Sequence, residues 1–482
     1  MKYNKLKRTV ALMLAGVTLF SMAGCSKKEV VESVVIEPME VEEVYAYAPD
    51  FIGGTDVMPI AGFYGPYEIG HSYMGVNVPS YISDEIFSKL SDCGINMIKQ
   101  SNLDAKTDPE GQIKILELAE KYGMAVYIRH SDVYGRHQDE EFSAEAIGNT
   151  INQFANYPAF AGIDLVDEPG TDYWWSTLPQ GFITDYAKRV DLLNEMGISF
   201  GANAIGAIQP SLGETGEQYL TDFCSILKPP YLCHTNYTFG AHPDEMSDED
   251  THIRMQQSLY ILDKCRSYAN EYKIPLWRYL NAGGQMDDSG TAVDSKTLYP
   301  TEGQMLWEVN TTLAYGAKGL SYFTLIQPLQ FSYAKSEPYD SNRTGLIGVW
   351  GNKTPYWYGA KKANEQVAAI DHVLMNSVNK GILVSGKNAK QDTNGNDALL
   401  EGTSWRELKH VDGSTMVGCF NYQGKSAFYV VNYEFNYKQK ITLDFHNAYN
   451  MTVIQKAKSS NINTSQLTLD MEPGEGVLIV MD

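Results

Sequence analysis

Cysteines and basic residues are scarce in this chain, and long apolar runs are nearly absent; each shortage closes off a class of protein. Only 6 cysteines occur in 482 residues. Five of them (Cys93, Cys224, Cys233, Cys265 and Cys419) are scattered without C-x-x-C spacing, which makes neither a disulfide framework nor a thiolate zinc site. They are expected to be small buried hydrophobes. Histidines with metal-ligand spacing are missing, as are a G-x-S-x-G elbow and a glycine cradle for phosphate, so neither metal nor cofactor is expected. Lys and Arg number 38 against 59 Asp and Glu, a net charge of −21 that argues against nucleic acid and anionic lipid as ligands. The apolar run Val10–Met22 is shorter than the ~20 residues a spanning helix needs.

What is present begins with the leader. Lys2, Lys5, Lys7 and Arg8 precede that run, and Ala23, Gly24 and Cys25 follow it. This is the layout of an export signal. Met22-Ala-Gly-Cys25 resembles the lipobox of bacterial lipoproteins, which implies a lipidated Cys25 and a protein exported and held at the bacterial cell surface or membrane. Without residues 1–24 the charge becomes about −25. Residues 25–50, rich in Glu and Val, read as an acidic, extended and mobile tether.

From residue 58 to about 375 one unit recurs eight times: a short apolar run, a polar loop and an amphipathic helix. The predicted strands are 58–63, 95–99, 124–129, 160–166, 198–204, 230–236, 274–280 and 318–324. Helical spacing lies between them, as at 181–196, 251–271 and 303–315, and Gly94, Gly123, Gly197 and Gly316 stand just before strands as helix stops. Eight βα units in about 320 residues predict a (β/α)8 TIM barrel over 51–378. An open doubly wound sheet is the alternative. Beyond it, period-2 runs at 425–433, 440–446 and 476–481 among Asn, Gly and Asp turns predict a C-terminal antiparallel β-sandwich over 379–482.

Chemistry in such a barrel sits at the C-terminal ends of the strands. Those ends supply Tyr64, then Arg129 and His130, then Asp167, and then Asn203. Further along come His234, Asn236 and Tyr237, then Arg278, Asn281 and Gln285, and finally Tyr322. The set is polar, amide-rich and aromatic, which suits a neutral, hydroxyl-bearing ligand such as a carbohydrate. Glu168 follows the fourth strand, and Pro169 biases its backbone towards an extended form at the strand tip. Trp174 and Trp175 follow on the same loop, where an indole suits sugar stacking.

Asp167-Glu168-Pro169 after strand 4 resembles the acid/base segment of the large clan of retaining glycosidases with (β/α)8 barrels. Tyr315-Gly-Ala-Lys-Gly-Leu-Ser-Tyr-Phe323 is similar to the passage from helix 7 to strand 8 in bacterial members. The likeness implies that Glu168 is the proton donor. The same clan carries a nucleophilic Glu after strand 7, where this chain has Leu280-Asn-Ala-Gly-Gly-Gln285. Retention requires a second carboxylate about 5–5.5 Å from the first, inversion one about 6.5–9.5 Å away. Candidates are Asp287, Glu302, Asp288, Asp132 and Asp167. Asp164, deeper on the Glu168 strand, reads as a core carboxylate paired with a base such as Arg129 or Arg278.

The sequence thus predicts a glycosidase acting on an oligo- or polysaccharide, with Glu168 as general acid/base. Its rivals are a non-catalytic glycan-binding lipoprotein on the same barrel and a two-lobed solute receptor of an uptake system.

Overall fold

The structure is a computed structural model and describes residues 34–68, 72–73, 76–77, 79–134, 144–170, 182–205, 214–239, 248–282, 300–327 and 345–482. Eight parallel strands close into a barrel with each strand beside its neighbours in sequence. They are β1 (Ile60–Gly62), β2 (Met97–Asp104), β3 (Ala125–Arg129), β4 (Phe160–Asp167), β5 (Phe200–Ala204), β6 (Leu232–His234), β7 (Leu276–Asn281) and β8 (Gly319–Phe323). β1 closes the ring: Ala61 lies opposite Ser321 of β8 on one side and Met97 of β2 on the other. A closed ring has neither an open sheet edge nor a hinge between two lobes, so the doubly wound sheet and the two-lobed receptor fall away.

Helix stops set the connections. Gly94, Gly123, Gly197 and Gly316 all have positive φ, 82°, 69°, 68° and 90°, the left-handed conformation that ends a helix and frees the chain to enter the next strand. Helix α1 (Pro109–Tyr122) shows the matching start: Asp108 Oδ1 accepts from the Gly111 N–H at 2.8 Å, and Pro109 occupies the first turn.

Strand parity decides which side chains reach the barrel interior. Met97, Ala125, Tyr127, Tyr231, Cys233, Trp277 and Tyr279 form one cluster inside the ring. Their alternates, among them Ile98, Val126, Leu232, Leu280, Leu320 and Tyr322, belong to the shell between strands and helices. All five cysteines beyond Cys25 are buried free thiols.

A curled antiparallel sheet follows: β9 (Ser377–Ser385), β10 (Leu408–Asp412), β11 (Thr415–Tyr422), β12 (Lys425–Asn432), β13 (Gln439–Gln455), β14 (Lys458–Met471) and β15 (Gly476–Met481). The order is β9-β11-β12-β15-β13-β10, with β14 paired on β13. Its alternation builds the two-layered sandwich that the period-2 runs predict. One face encloses a core including Val417, Phe428, Leu443 and Ile479. The other, with Phe420, Tyr429 and Leu478, joins the barrel's outer shell. There helix α2 (Glu302–Ala314) lies between barrel and sheet, and Tyr429 donates to Asn310 Oδ1 at 2.6 Å. Gly303 allows the close approach, because a Cβ there would meet the Phe435 carbonyl oxygen at 2.2 Å.

Of the tether expected over 25–50, the part from Ile36 onward is bound to the folded body. From Ile36 onward the chain belongs to the same compact unit as the barrel and the sheet. The Met39 N–H donates to the Gly424 carbonyl at 3.0 Å, Asn421 Nδ2 to the Glu40 carbonyl at 2.7 Å, and Lys380 pairs with Glu42 at 2.9 Å. Tyr47 then enters the N-terminal end of the barrel. Its hydroxyl shares hydrogen bonds with Tyr127 (2.6 Å) and Ser199 (2.7 Å), and its ring lies 5.6 Å from that of Tyr231. An acidic composition suggests a solvated strand of chain; the backbone partners and the half-buried ring of Tyr47 hold it down instead.

Candidate active site

At the opposite, C-terminal end of the barrel, β4 delivers two consecutive carboxyls. Asp167 pairs in register with Asn203 of β5, and the Glu168 N–H donates to the Asn203 carbonyl at 2.9 Å. Glu168 then turns sharply, with φ 49°. This corrects the extended backbone expected from Pro169: the proline does exclude the right-handed helical region, but the residue takes the left-handed alternative. Such a conformation costs a residue with a side chain about 1–3 kcal/mol, and it is found where surrounding structure enforces it. Here it swings the carboxyl across to β6, where the Thr235 hydroxyl donates to Glu168 Oε1.

Electrostatics divides the two carboxyls. Burial, and then the neighbouring Asp167 charge, push Glu168 up to about 7 against the Thr235 hydrogen bond. Burial also raises Asp167, but the hydrogen bond from Asn203 Nδ2 (3.0 Å) and the Lys99 ammonium oppose it. Lys99 lies fully buried on the axis, donating to Asn203 Oδ1 at 2.8 Å, with its ammonium 5.0 Å from the centre of the Tyr279 ring. Deeper still is Asp164. Burial drives it up to about 7, with Lys99 and then Arg129 opposing and Asp167 adding to the rise. No hydrogen bond joins it to Arg129 or Arg278, so the base expected beside it is Lys99, acting through space.

Across from the acids stands an aromatic wall. The Tyr64 ring is 4.8 Å from Phe63 and 5.7 Å from Phe323, and Phe323 is 5.7 Å from Tyr237. Arg129 sits at the rim, its Nη1 donating to the Ser101 carbonyl at 2.6 Å and its guanidinium 4.5 Å over the Tyr134 ring. A half-buried carboxyl that holds its proton near neutrality, facing a wall of ring faces, suits a polyhydroxylated ligand whose leaving oxygen needs a proton.

The predicted residues therefore divide. Glu168, Asp167, Asn203, Tyr64, Arg129 and Tyr237 come together at the mouth. His130 follows β3, with Nδ1 accepting from the Asp132 N–H at 3.2 Å, and burial lowers its pKa. Asn236 sits after β6, its carbonyl accepting from Arg278 at 3.3 Å.

Three expectations are corrected by parity: His234, Arg278 and Tyr322 point outward, because Cys233 on β6, Trp277 and Tyr279 on β7 and Phe323 on β8 take the inward positions. Arg278 is buried against Glu308 (3.1 Å), Tyr322 donates to Asn364 Oδ1 (2.8 Å), and burial pushes His234 down to about 3. Glu302 is corrected as well. It occupies the exposed first turn of α2, paired with Lys362 on the outer ring of helices. Asn281 ends β7 where the retaining clan carries its nucleophile, and its Nδ2 donates to the Phe239 carbonyl at 2.9 Å. Cys25, Trp174, Trp175, Gln285, Asp287 and Asp288 lie outside the described residues.

Lys99 and Thr235 escaped the sequence reading. The signal for Lys99 was available: a lysine inside the apolar run Ile95–Lys99, two residues after inward Met97. Among the described residues no cluster of three His, Cys, Asp or Glu is placed to hold a metal ion.

No protein-family model matches the chain, and no curated protein matches it. Solved structures do. A 4-O-alpha-L-rhamnosyl-beta-D-glucuronidase from Fusarium oxysporum 12S is 12% identical, covering 92% of this chain and 99% of its own, with a TM-score of 0.46. An exo-beta-1,4-mannosidase from Opitutaceae bacterium strain TAV5 is 13% identical over 70% of this chain and 63% of its own, TM-score 0.45. GH5_18 from Streptomyces cattleya, in complex with GlcNAc, is 10% identical over 64% of this chain and 80% of its own, TM-score 0.42.

Proposed function

We propose that this chain is a glycoside hydrolase acting on an oligo- or polysaccharide, with Glu168 as the general acid/base. The observation that carries the reading is the Glu168 carboxyl itself. It is held at the tip of β4 by a left-handed backbone and a Thr235 hydrogen bond, and pushed up to about 7, the range in which a carboxyl both gives and takes a proton near neutrality. The partner carboxylate is Asp167 or a residue of the loop after β7, of which Asp287 is the first candidate. The leader, with Cys25 lipidated, places the enzyme at the bacterial envelope, and we read the chain as signal (1–24), tether, barrel (51–378) and sandwich (379–482).

Hydrolysis of a broad glycan panel by the mature protein and by Glu168→Gln tests the reading. The variant is expected to lose about 10²–10⁴-fold in rate with its glycan affinity retained. Product stereochemistry then separates a nucleophilic from a water-activating partner, and Asp287→Asn tells the loop from Asp167. One observation favours a second reading: β7 ends in Asn281. Without a partner carboxylate the barrel would bind glycans and not cleave them, and a wild type that binds one glycan yet releases no sugar would establish that instead.

A further inference from the structure

A buried lysine in the middle of a barrel calls for an explanation, since desolvating an ammonium is expensive unless the protein uses the charge. Lys99 is fully buried. Its Nζ donates to Asn203 Oδ1 at 2.8 Å, the same carboxamide's Nδ2 donates to Asp167 Oδ1 at 3.0 Å, and the backbone carbonyl of Asn203 accepts from the Glu168 N–H at 2.9 Å. The carboxamide has a fixed sense. With its oxygen held by an ammonium, its nitrogen can only donate, and a donor favours the ionised form of the carboxyl it meets. Glu168 receives no comparable support: its hydrogen bond comes from the neutral Thr235 hydroxyl.

We propose that Lys99 is a positioning residue that acts through the carboxamide of Asn203 to hold Asp167 as the ionised member of the Asp167–Glu168 pair, leaving the shared proton on Glu168. This rests on Glu168 being the acid of the site and adds what decides which of two adjacent carboxyls carries the proton. The other groups around the pair do not compete. Tyr134 at the β3 end, Cys233 and Tyr237 at β6, Tyr279 on β7 and Tyr219 on the outer helix Glu214–Asp222 are all driven upward by burial and stay neutral. Among the described residues, the charged side chains that act on the pair are Lys99, Arg129 and the carboxyls Asp164, Asp167 and Glu168. Arg129 spends a donor on the Ser101 carbonyl, whereas Lys99 is hydrogen-bonded to the carboxamide that meets Asp167.

The test is a carboxyl titration of the whole mature protein labelled with ¹³C at the Asp and Glu side-chain carboxyls. Glu168 and Asp167 signals are assigned by their loss in Glu168→Gln and Asp167→Asn. In the wild type Glu168 is expected to carry the upper of the two steps almost alone. In Lys99→Met, and in Asn203→Ala, which keeps the lysine but removes the bridge, Asp167 is expected to take about a third or more of that upper step. A merely structural lysine would leave the partition unchanged. A shifted partition in folded Lys99→Met supports the proposal, and an unchanged partition in either Lys99→Met or Asn203→Ala overturns it. The readout needs no activity. Failure of every glycan to be cleaved would remove the hydrolase reading and leave the proton's place still measurable. Glu168-dependent cleavage with an unmoved partition would remove the role of Lys99 and leave the hydrolase.

Discussion

Glu168 combines two burdens, a left-handed backbone and a carboxyl drawn out of water, and the two separate by mutation. Glu168→Gln keeps the backbone conformation, whereas Glu168→Gly removes its penalty. The glycine variant is therefore expected to be more stable than the glutamine variant by about 1 kcal/mol, read as a higher urea midpoint. If Glu168 is the general acid proposed above it must hold its proton, so cleavage is expected to fall as pH rises through about 7. Asp164 gives the matching stability signature. Its folded-state value of about 7 lies above its ordinary 3.8, so the folded protein keeps a proton that the unfolded chain releases. The stability this contributes is whole below about pH 4, fades between about 4 and 7, and is gone above. Asparagine does not titrate. Across that window the difference between Asp164→Asn and wild type should therefore move in the variant's favour by up to ~1.4 kcal/mol per pH unit and then level off. Paired urea melts at pH 4.5, 6 and 8 measure it; a pH-independent difference would show Asp164 ionised throughout.

At the level of elements, the strand β7 carries the lesson about legibility. Its existence and approximate end were readable from the apolar run 274–280, and so were the other seven strands and the Asp167-Glu168 tip. Parity was not. Leu276–Asn281 offers Trp277, Arg278 and Tyr279 in succession, and nothing local says which side the ring of helices will take. The answer lies 30 residues on, in Glu308 of α2. It accepts from Arg278 Nη2 at 3.1 Å and, through its other oxygen, from the Asn281 N–H at 3.2 Å. An inward-facing reading of Arg278 predicts a ligand contact, whereas the outward one predicts a stability element. Glu308→Ala is accordingly expected to lose about 3–5 kcal/mol, because it strands a buried guanidinium, while the folded fraction binds glycan as before. Calorimetry beside a glycan titration distinguishes the two. The role of Lys99 was hidden for a related reason: it depends on Asn203, 104 residues later and three strands on from β2.

For the molecule as a whole, the segment from Ile36 to Pro49 joins the sheet, through Gly424 and Lys380, to the floor of the barrel, through Tyr47. Composition could not reveal this, because the partners are scattered from Tyr127 to Gly424. Tyr47→Ala empties the floor and removes two hydroxyl contacts, and is expected to lower stability by about 3 kcal/mol, measured by thermal melting, without changing the mouth some strands' length away.

The docked segment also sets a leash. Were all of 26–50 free, the body of a lipidated chain could drift ~85 Å from Cys25; with the chain tied down from Ile36, residues 26–35 extend at most ~35 Å. A chain anchored at Cys25, as proposed above, would therefore work only within that reach of its anchor.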